Sequence, residues 1–300
     1  MSISLVCIPK RLAKEKLVAA AKTASTINPL NHAPIERLSN LMPGFQPTPE
    51  RIAVVTTKYW GIKGVKLTVA FMDNAPTDLQ KRILLHMNAW GKTANATFVL
   101  SKTDPQVRIA RVGGAVGGYW SYVGTDILHI PKKQQTMNLE AFTMSTPESE
   151  FHRVVRHETG HTLGFPHEHM RKALVAKIDP KKAIAYFMRT QGWTADEVKQ
   201  QVLTPIEEST LMGTRVDARS IMCYQIPGEL TKDGKPILGG LDIDATDYKF
   251  AGDIYPKPKA ATKVPAKKSA PKKAAKKAGK KSSAKNVAKK SGKKTAKKRR

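Results

Sequence analysis

From about residue 53 to residue 256 the apolar positions recur with two different periods. Val65, Leu67, Val69 and Phe71 alternate with Lys66, Thr68 and Ala70, the period of a half-buried strand. A turn at Asn74-Ala75-Pro76 follows. Leu79, Ile83, Met87 and Trp90 then fall on one face of a helix, and Thr77 with Gln80 predicts a capping box at its start. Shorter strands are predicted over 97–100, 107–112 and 127–130. Ser145 or Thr146, followed by Pro147 and Glu148, opens a second helix that should end near Gly164. Strands come first, then a helix rich in histidine, then an irregular stretch. Residues 189–219 read as mixed and partly helical, with Trp193 as a packing residue. This order predicts an α+β domain over 53–256.

The flanks follow neither period. Residues 13–24 are rich in Ala and Lys and predict a short helix, but Asn28-Pro29, Ala33-Pro34 and Pro43-Gly44 interrupt what comes next. Residues 1–52 therefore read as an arm or pro-segment, not a domain. Residues 257–300 hold 20 Lys and Arg and no Asp or Glu, so most of the formal charge of +28 belongs to them. Elsewhere 32 basic residues face 24 acidic ones. A segment so short of bulky apolar residues is expected to be disordered alone. Its charge predicts non-specific binding to nucleic acid or another polyanion, and its lack of aromatic rings speaks against sequence readout. The bland alternative is a solvated tail that aids solubility. Its repeats PAKK, APKK and AAKK resemble the C-terminal tails of linker histones in composition.

Two cysteines, Cys7 and Cys223, are too few for a disulfide framework or an all-cysteine zinc cage. The first sixteen residues lack the apolar run of an export signal, and no stretch reaches the ~18 apolar residues of a membrane span. The expected location is cytoplasmic or nucleic-acid-associated, with non-classical secretion as the alternative; the oligomeric state is not readable.

One stretch carries chemistry. HETGHTLGFPHEH, residues 157–169, holds four of the eight histidines. His157 and His161 are four apart, so on a helix both rings share one face and can share a metal. Glu158 stands beside the first, where its carboxylate can reach a metal-bound water without being a ligand. Gly164 lets the backbone turn with positive φ, which allows His167 to return as a third ligand. Three imidazoles leave one position open, the pattern of a catalytic zinc rather than a structural one. His152 and His169 lie outside the pattern and are expected to be surface residues.

H-E-x-x-H-x-x-G-x-x-H resembles the metzincin zinc signature, and Phe165 and Glu168 make it similar to the astacin form. Ser220-Ile-Met-Cys-Tyr224 resembles the astacin Met-turn, with Cys223 where the family usually has histidine. Tyr119-Trp-Ser-Tyr-Val-Gly124 is similar to the family's strand before the active helix. The resemblance implies a twisted, mostly parallel sheet with an antiparallel edge strand, an active-site helix and an irregular C-terminal subdomain. It implies one catalytic Zn2+ on His157, His161 and His167. Met222 would form an apolar floor beneath it, and Tyr224 would be a phenol that swings to stabilise the oxyanion. Tyr119, Trp120 and Ser121 would lie on the strand that pairs with a bound peptide, although a core tryptophan on a strand explains Trp120 equally well. The usual cystines, the Asp-Arg-Asp run after the third histidine and the pro-segment's Phe-x-Gly-Asp motif are missing.

The expected reaction is hydrolysis of a peptide bond in a protein or peptide substrate, by a zinc-activated water with Glu158 as general base and Tyr224 sharing the oxyanion charge. The rival class is a nucleic-acid-associated protein that uses a protease-like scaffold. A non-peptide metal hydrolase is the third.

Overall fold

The Ala-rich run near the N-terminus forms α1 (Leu17–Ile27) in the computed structural model, and it buries Ala20, Ala21 and Ala24. The structure describes Cys7 and residues 10–41, 44, 48–49, 55–114, 117–206 and 216–258. Apart from 257 and 258, the basic segment therefore lies outside the described residues. Asn28 ends α1 and caps the turn Pro29–His32 by accepting from Leu30 N at 3.1 Å; α2 (Ala33–Leu41) follows. Asn31, fully buried, donates to Ala24 O at 2.9 Å and Tyr59 O at 2.8 Å. Its oxygen accepts from Tyr59 N at 3.0 Å and Thr57 Oγ1 at 2.8 Å. That uses both donors and both lone pairs of the amide. One side chain thus fastens the arm to the chain entering the sheet.

The alternating run is β1 (Val65–Phe71), with Leu67 and Val69 buried. The other strands are β2 (Ala96–Leu100), β3 (Val107–Ala110), β4 (Tyr119–Ser121) and β5 (Met137–Leu139). They form one sheet in the order β2-β1-β3-β5-β4. Pairing is parallel except at the edge, where β4 runs antiparallel to β5 with Trp120 opposite Asn138. The expected mixed sheet is present.

Between β1 and β2 runs α3 (Thr77–Met87), whose buried face is Leu79, Ile83, His86 and Met87. Its start differs from the expected capping box. Pro76 occupies the N-cap position, and Gln80 donates to Ala75 O at 2.8 Å. The strand expected over 127–130 is instead a 3-10 turn, Gly124–His129. Ile127 and Ile130 are buried while Leu128 is exposed, and a spacing of three matches the 3-10 repeat rather than the strand period. The helix expected to begin near Ser145 begins at Glu148. It runs through a π turn, Phe151–Val155, into α4 (Arg156–Thr162).

Past α4 come α5 (Lys172–Val175), α6 (Pro180–Gln191), α7 (Ala195–Val198) and α8 (Ala245–Ile254). Only isolated bridges, Ile178 with Thr231 and Ile226 with Ile237, stand in for a sheet there among the described residues. The sheet, α3 and α4 share a core with Trp90, Phe151, Phe165 and Tyr255. A second core gathers Leu174, Phe187, Trp193, Val202, Tyr224 and Ile226. Trp193 packs as expected, stacked 5.3 Å from Phe187. Between these two cores lies the histidine cluster. No helix among the described residues is long and apolar enough to cross a membrane.

Candidate metal centre and cleft

α4 carries His157, Glu158 and His161 into the interior, all three buried. The chain turns at Gly164, where φ is +98° and a Cβ would meet Tyr59 at 3.0 Å and Lys58 O at 3.1 Å. Only glycine fits both demands. The turn returns His167 to the same point. Its Nε2 lies 3.2 Å from Nε2 of His157 and 3.0 Å from Nε2 of His161.

The hydrogens on these rings follow from their other nitrogens. His157 Nδ1 faces Ile221 O at 2.6 Å, and His161 Nδ1 faces Phe165 O at 2.8 Å. A carbonyl only accepts, so both Nδ1 atoms carry hydrogen and, in the neutral rings, both Nε2 atoms present lone pairs. At most one hydrogen, on His167, serves two contacts. Burial keeps the rings neutral: it pushes His161 down to about 4 and holds His157 and His167 well below the usual imidazole value. Two lone pairs aimed at one nitrogen call for a cation between them. Zinc–nitrogen bonds of ~2.0–2.1 Å in a tetrahedron put neighbouring nitrogens about 3.3 Å apart, close to the separations found.

Burial also raises Glu158 to about 8, against the opposing effects of a hydrogen bond from Cys7 and the charge of Arg153. Its Oε2 has no hydrogen-bond partner among the described residues. Met222 lies against the helix, with Sδ 2.4 Å from where a Cβ on Gly160 would sit. Asp247 holds this turn, accepting from Ser220 Oγ at 2.6 Å and Ile221 N at 2.9 Å. Tyr224 tilts against His167, ring centroids 4.5 Å apart, and its hydroxyl donates to the carbonyl of Cys7. Trp120 and Ser121 are buried, Ser121 Oγ lying 3.0 Å from Thr162 Oγ1, while Tyr119 is half-buried. On this strand the side chains serve the core, and its backbone is the edge of the sheet, bridged at Tyr119 by Cys7.

Three features were not foreseen. His169 is fully buried, not on the surface: it donates to Gln201 O at 2.9 Å and stacks on Tyr224 at 3.9 Å. Glu168 accepts from Asp217 N at 3.0 Å. Cys7, from the N-terminal arm, joins the three histidines in a set of ligand atoms that all lie within 4.8 Å of one another. Nothing in its sequence neighbourhood signals this; the contact is made only by the folded arm.

A second cluster, His86, Glu148 and His152, has metal-like spacing. Its donors already serve cations. Arg82 donates to Glu148 at 2.6 Å, Arg156 lies 3.3 Å from nitrogens of His86 and His152, and His152 pairs with Asp242 at 2.8 Å. It is an ion network. His152 is thus partly buried and paired, not a free surface residue.

The family model for astacin, described as a peptidase family, matches residues 54–235. Zinc metalloproteinase nas-27 of Caenorhabditis elegans is 30% identical over 122 residues, 40% of this chain and 26% of that protein. The match therefore spans about a quarter of that relative. A solved structure of myroilysin superposes with a TM-score of 0.63 at 31% identity, covering 68% of this chain and 98% of that one. A second myroilysin structure gives 0.52 at 30% identity, covering 67% and 86%. With its mixed sheet and histidine cluster in the same span, the chain belongs to the astacin family, whose members are zinc metalloproteases.

Proposed function

We propose that the chain is a zinc-dependent endopeptidase in which His157, His161 and His167 hold the ion. The observation that carries this is the convergence of three buried Nε2 atoms with too few hydrogens to satisfy one another. Zinc, when bound, supplies the positive charge that acidifies a water and polarises a carbonyl. Glu158, buried beside the centre with a free oxygen, takes the proton of the attacking water and delivers it to the leaving amine. Tyr224 turns its hydroxyl from the Cys7 carbonyl to the oxygen that becomes negative in the transition state. The outer edge of β4 (Tyr119, Trp120 and Ser121), bridged at Tyr119 by the Cys7 backbone, pairs with the backbone of a protein or peptide substrate once Cys7 is displaced. Met222 supplies the apolar floor.

Because Cys7 occupies the cleft, cleavage is measured on a chain beginning at Lys10, with metal analysis and a peptide library. The expected result is one zinc per chain, lost in His161→Ala. Glu158→Ala should keep the metal and lose cleavage by about 10²–10⁴-fold. A Glu158→Ala chain that cleaves at the parent rate would overturn the reading.

Residues 257–300 act separately, as a polycationic tail for nucleic acid or another polyanion. Twenty cations without a counter-charge support this. With roughly 6–10 phosphates neutralised, duplex affinity should fall about 10³–10⁵-fold between 50 and 200 mM salt. A chain ending at Pro256 should lose that binding. Equal binding by both chains would place the surface on the folded domain.

A further inference from the structure

The Tyr224 hydroxyl has to travel while its ring keeps its orientation, and two imidazoles flank that ring. His167 is tilted 59° to it with centroids 4.5 Å apart, whereas His169 lies within 16° of parallel at 3.9 Å. His167 belongs to the converging ligand atoms; His169 does not. A fully buried histidine that stacks on the phenol and holds no metal needs another task.

Its ring is pinned. Nε2 donates to Gln201 O at 2.9 Å, and Gln201 lies in the π turn Lys199–Leu203, whose Val202 packs in the same core as Tyr224. A carbonyl only accepts, so in the neutral ring Nδ1 presents a lone pair. That atom is buried without a partner among the described residues. An unmet buried polar atom is costly, and leucine or phenylalanine would fill the space without it. What histidine offers instead is a small flat face whose plane a hydrogen bond fixes.

We propose that His169 is the positioning residue of Tyr224: a fixed plate along which the phenol slides, so that its hydroxyl leaves the Cys7 carbonyl and reaches the oxyanion in one orientation. This rests on the peptidase reading, in which that hydroxyl acts in the transition state. Aromatic pairs favour offset stacking, so a ring displaced in its own plane keeps its contact and a ring that tips loses it. His169 therefore confines the movement to a plane, and the tilted His167 ring closes the other side. The benefit falls on turnover rather than on binding, because the phenol is needed only when negative charge develops.

The test is a double-mutant cycle of Tyr224→Phe and His169→Ala, with His169→Phe as the variant that restores a plate. Cleavage is followed on the zinc-loaded chain from Lys10, which keeps the contacts of Leu12, Asn28 and Asn31 that seat the arm. The ring is followed by NMR of labelled tyrosine in the full chain, where the Tyr224 signal is the one that Tyr224→Phe removes. His169→Ala should keep its zinc and lower kcat roughly 2- to 10-fold with KM unchanged, the range that the energy of an aromatic pair spans as a rate. In the Tyr224→Phe background the same change should cost less than about 2-fold, because no hydroxyl remains to be placed. His169→Phe should recover most of the loss. The Tyr224 signal, displaced by the stacked ring, should move toward that of free tyrosine in His169→Ala and stay in His169→Phe. Equal losses in both backgrounds, a loss that His169→Phe does not recover, or a signal unmoved by His169→Ala overturns the plate. Zinc loss in His169→Ala overturns it too, by making His169 a support of His167. A parent that binds zinc and cleaves nothing overturns the peptidase reading instead, and the tyrosine spectrum still decides whether His169 fixes the ring.

Discussion

The two sides of the metal centre are held together by different means. On one side, β1 to β5 form a ladder of backbone hydrogen bonds, and α3 and α4 pack an apolar face on it. On the other, from Phe165 to Tyr255, single polar side chains bind the backbone. Glu168 holds Asp217 N, His169 holds Gln201 O, and Asp247 holds Ser220 and Ile221. The ladder distributes stability over many contacts. The other side has an apolar core of its own but no ladder, and adds a few buried polar groups that also set the ligands, since Ile221 O orients His157. A lesion in the sheet side should cost stability and spare the centre. A lesion in the other side should cost less stability and disturb the centre more.

The largest effect tests the first half of that statement. Ile83 is fully buried on α3, a helix that supplies none of the carbonyls that orient His157 and His161. Ile83→Ala should destabilise the protein by about 2–5 kcal/mol through the cavity it leaves, with zinc affinity of the folded chain unchanged. Denaturant unfolding and zinc titration read the two quantities separately. Asp247→Asn comes next. It turns one acceptor into a donor facing Ser220 Oγ or Ile221 N, and an unmet buried N–H costs about 1–3 kcal/mol. Here zinc affinity should fall as well, because the turn that orients His157 loosens. If both variants lose stability and affinity in the same proportion, the two sides are one cooperative unit and the contrast fails.

The same contrast explains what the sequence made legible. Periodicity is a backbone-level signal, so β1 and the face Leu79, Ile83, Met87 and Trp90 could be read directly. The centre was legible for a local reason: His157, His161, Gly164 and His167 are placed by one helix and one turn. The Ile127–Ile130 run misled because four residues fit two periods. Capping boxes exist at Thr194/Glu197 and Asp244/Asp247, whereas Thr77 lies one residue inside its helix. Cys7, His169 and Asp247 could not be placed at the centre, since the partners that put them there, His157, Gln201 and Ile221, are 150, 32 and 26 residues away. Such contacts leave no period.

A smaller effect probes the seam between the two sides. Gly160 sits mid-helix, where alanine would gain roughly 1 kcal/mol of helix propensity. Its Cβ, however, would lie 2.4 Å from Met222 Sδ and 3.2 Å from Trp90 Cζ2. Overpacking of this kind costs about 1–3 kcal/mol, so Gly160→Ala should be neutral to destabilising by about 2 kcal/mol. A melting curve shifted upward would mean that the seam yields freely and that Met222 is not a fixed floor.

The smallest effect is the pH dependence that Asp247 brings to the second side. Burial raises Asp247 from 3.8 to about 6, assisted by the nearby charge of Asp244 and opposed by hydrogen bonds from Ser220, Ile221 and Asp244. A raised folded value means that the native protein holds this proton more tightly than the unfolded chain does. As pH rises from 3.8, the unfolded chain ionises first, so unfolding releases protons and stability declines until the native carboxyl ionises near 6. Below this window the contribution is constant and above it the loss is complete. Asp126 is also raised to about 6, by burial, so the two must be separated by difference. The stability of the parent minus that of Asp247→Asn, measured by denaturant unfolding, should fall between about pH 4 and 6 and be flat above. A difference that rises with pH there would mean that the three hydrogen bonds outweigh burial, and that the turn beneath the metal is held by charge rather than in spite of it.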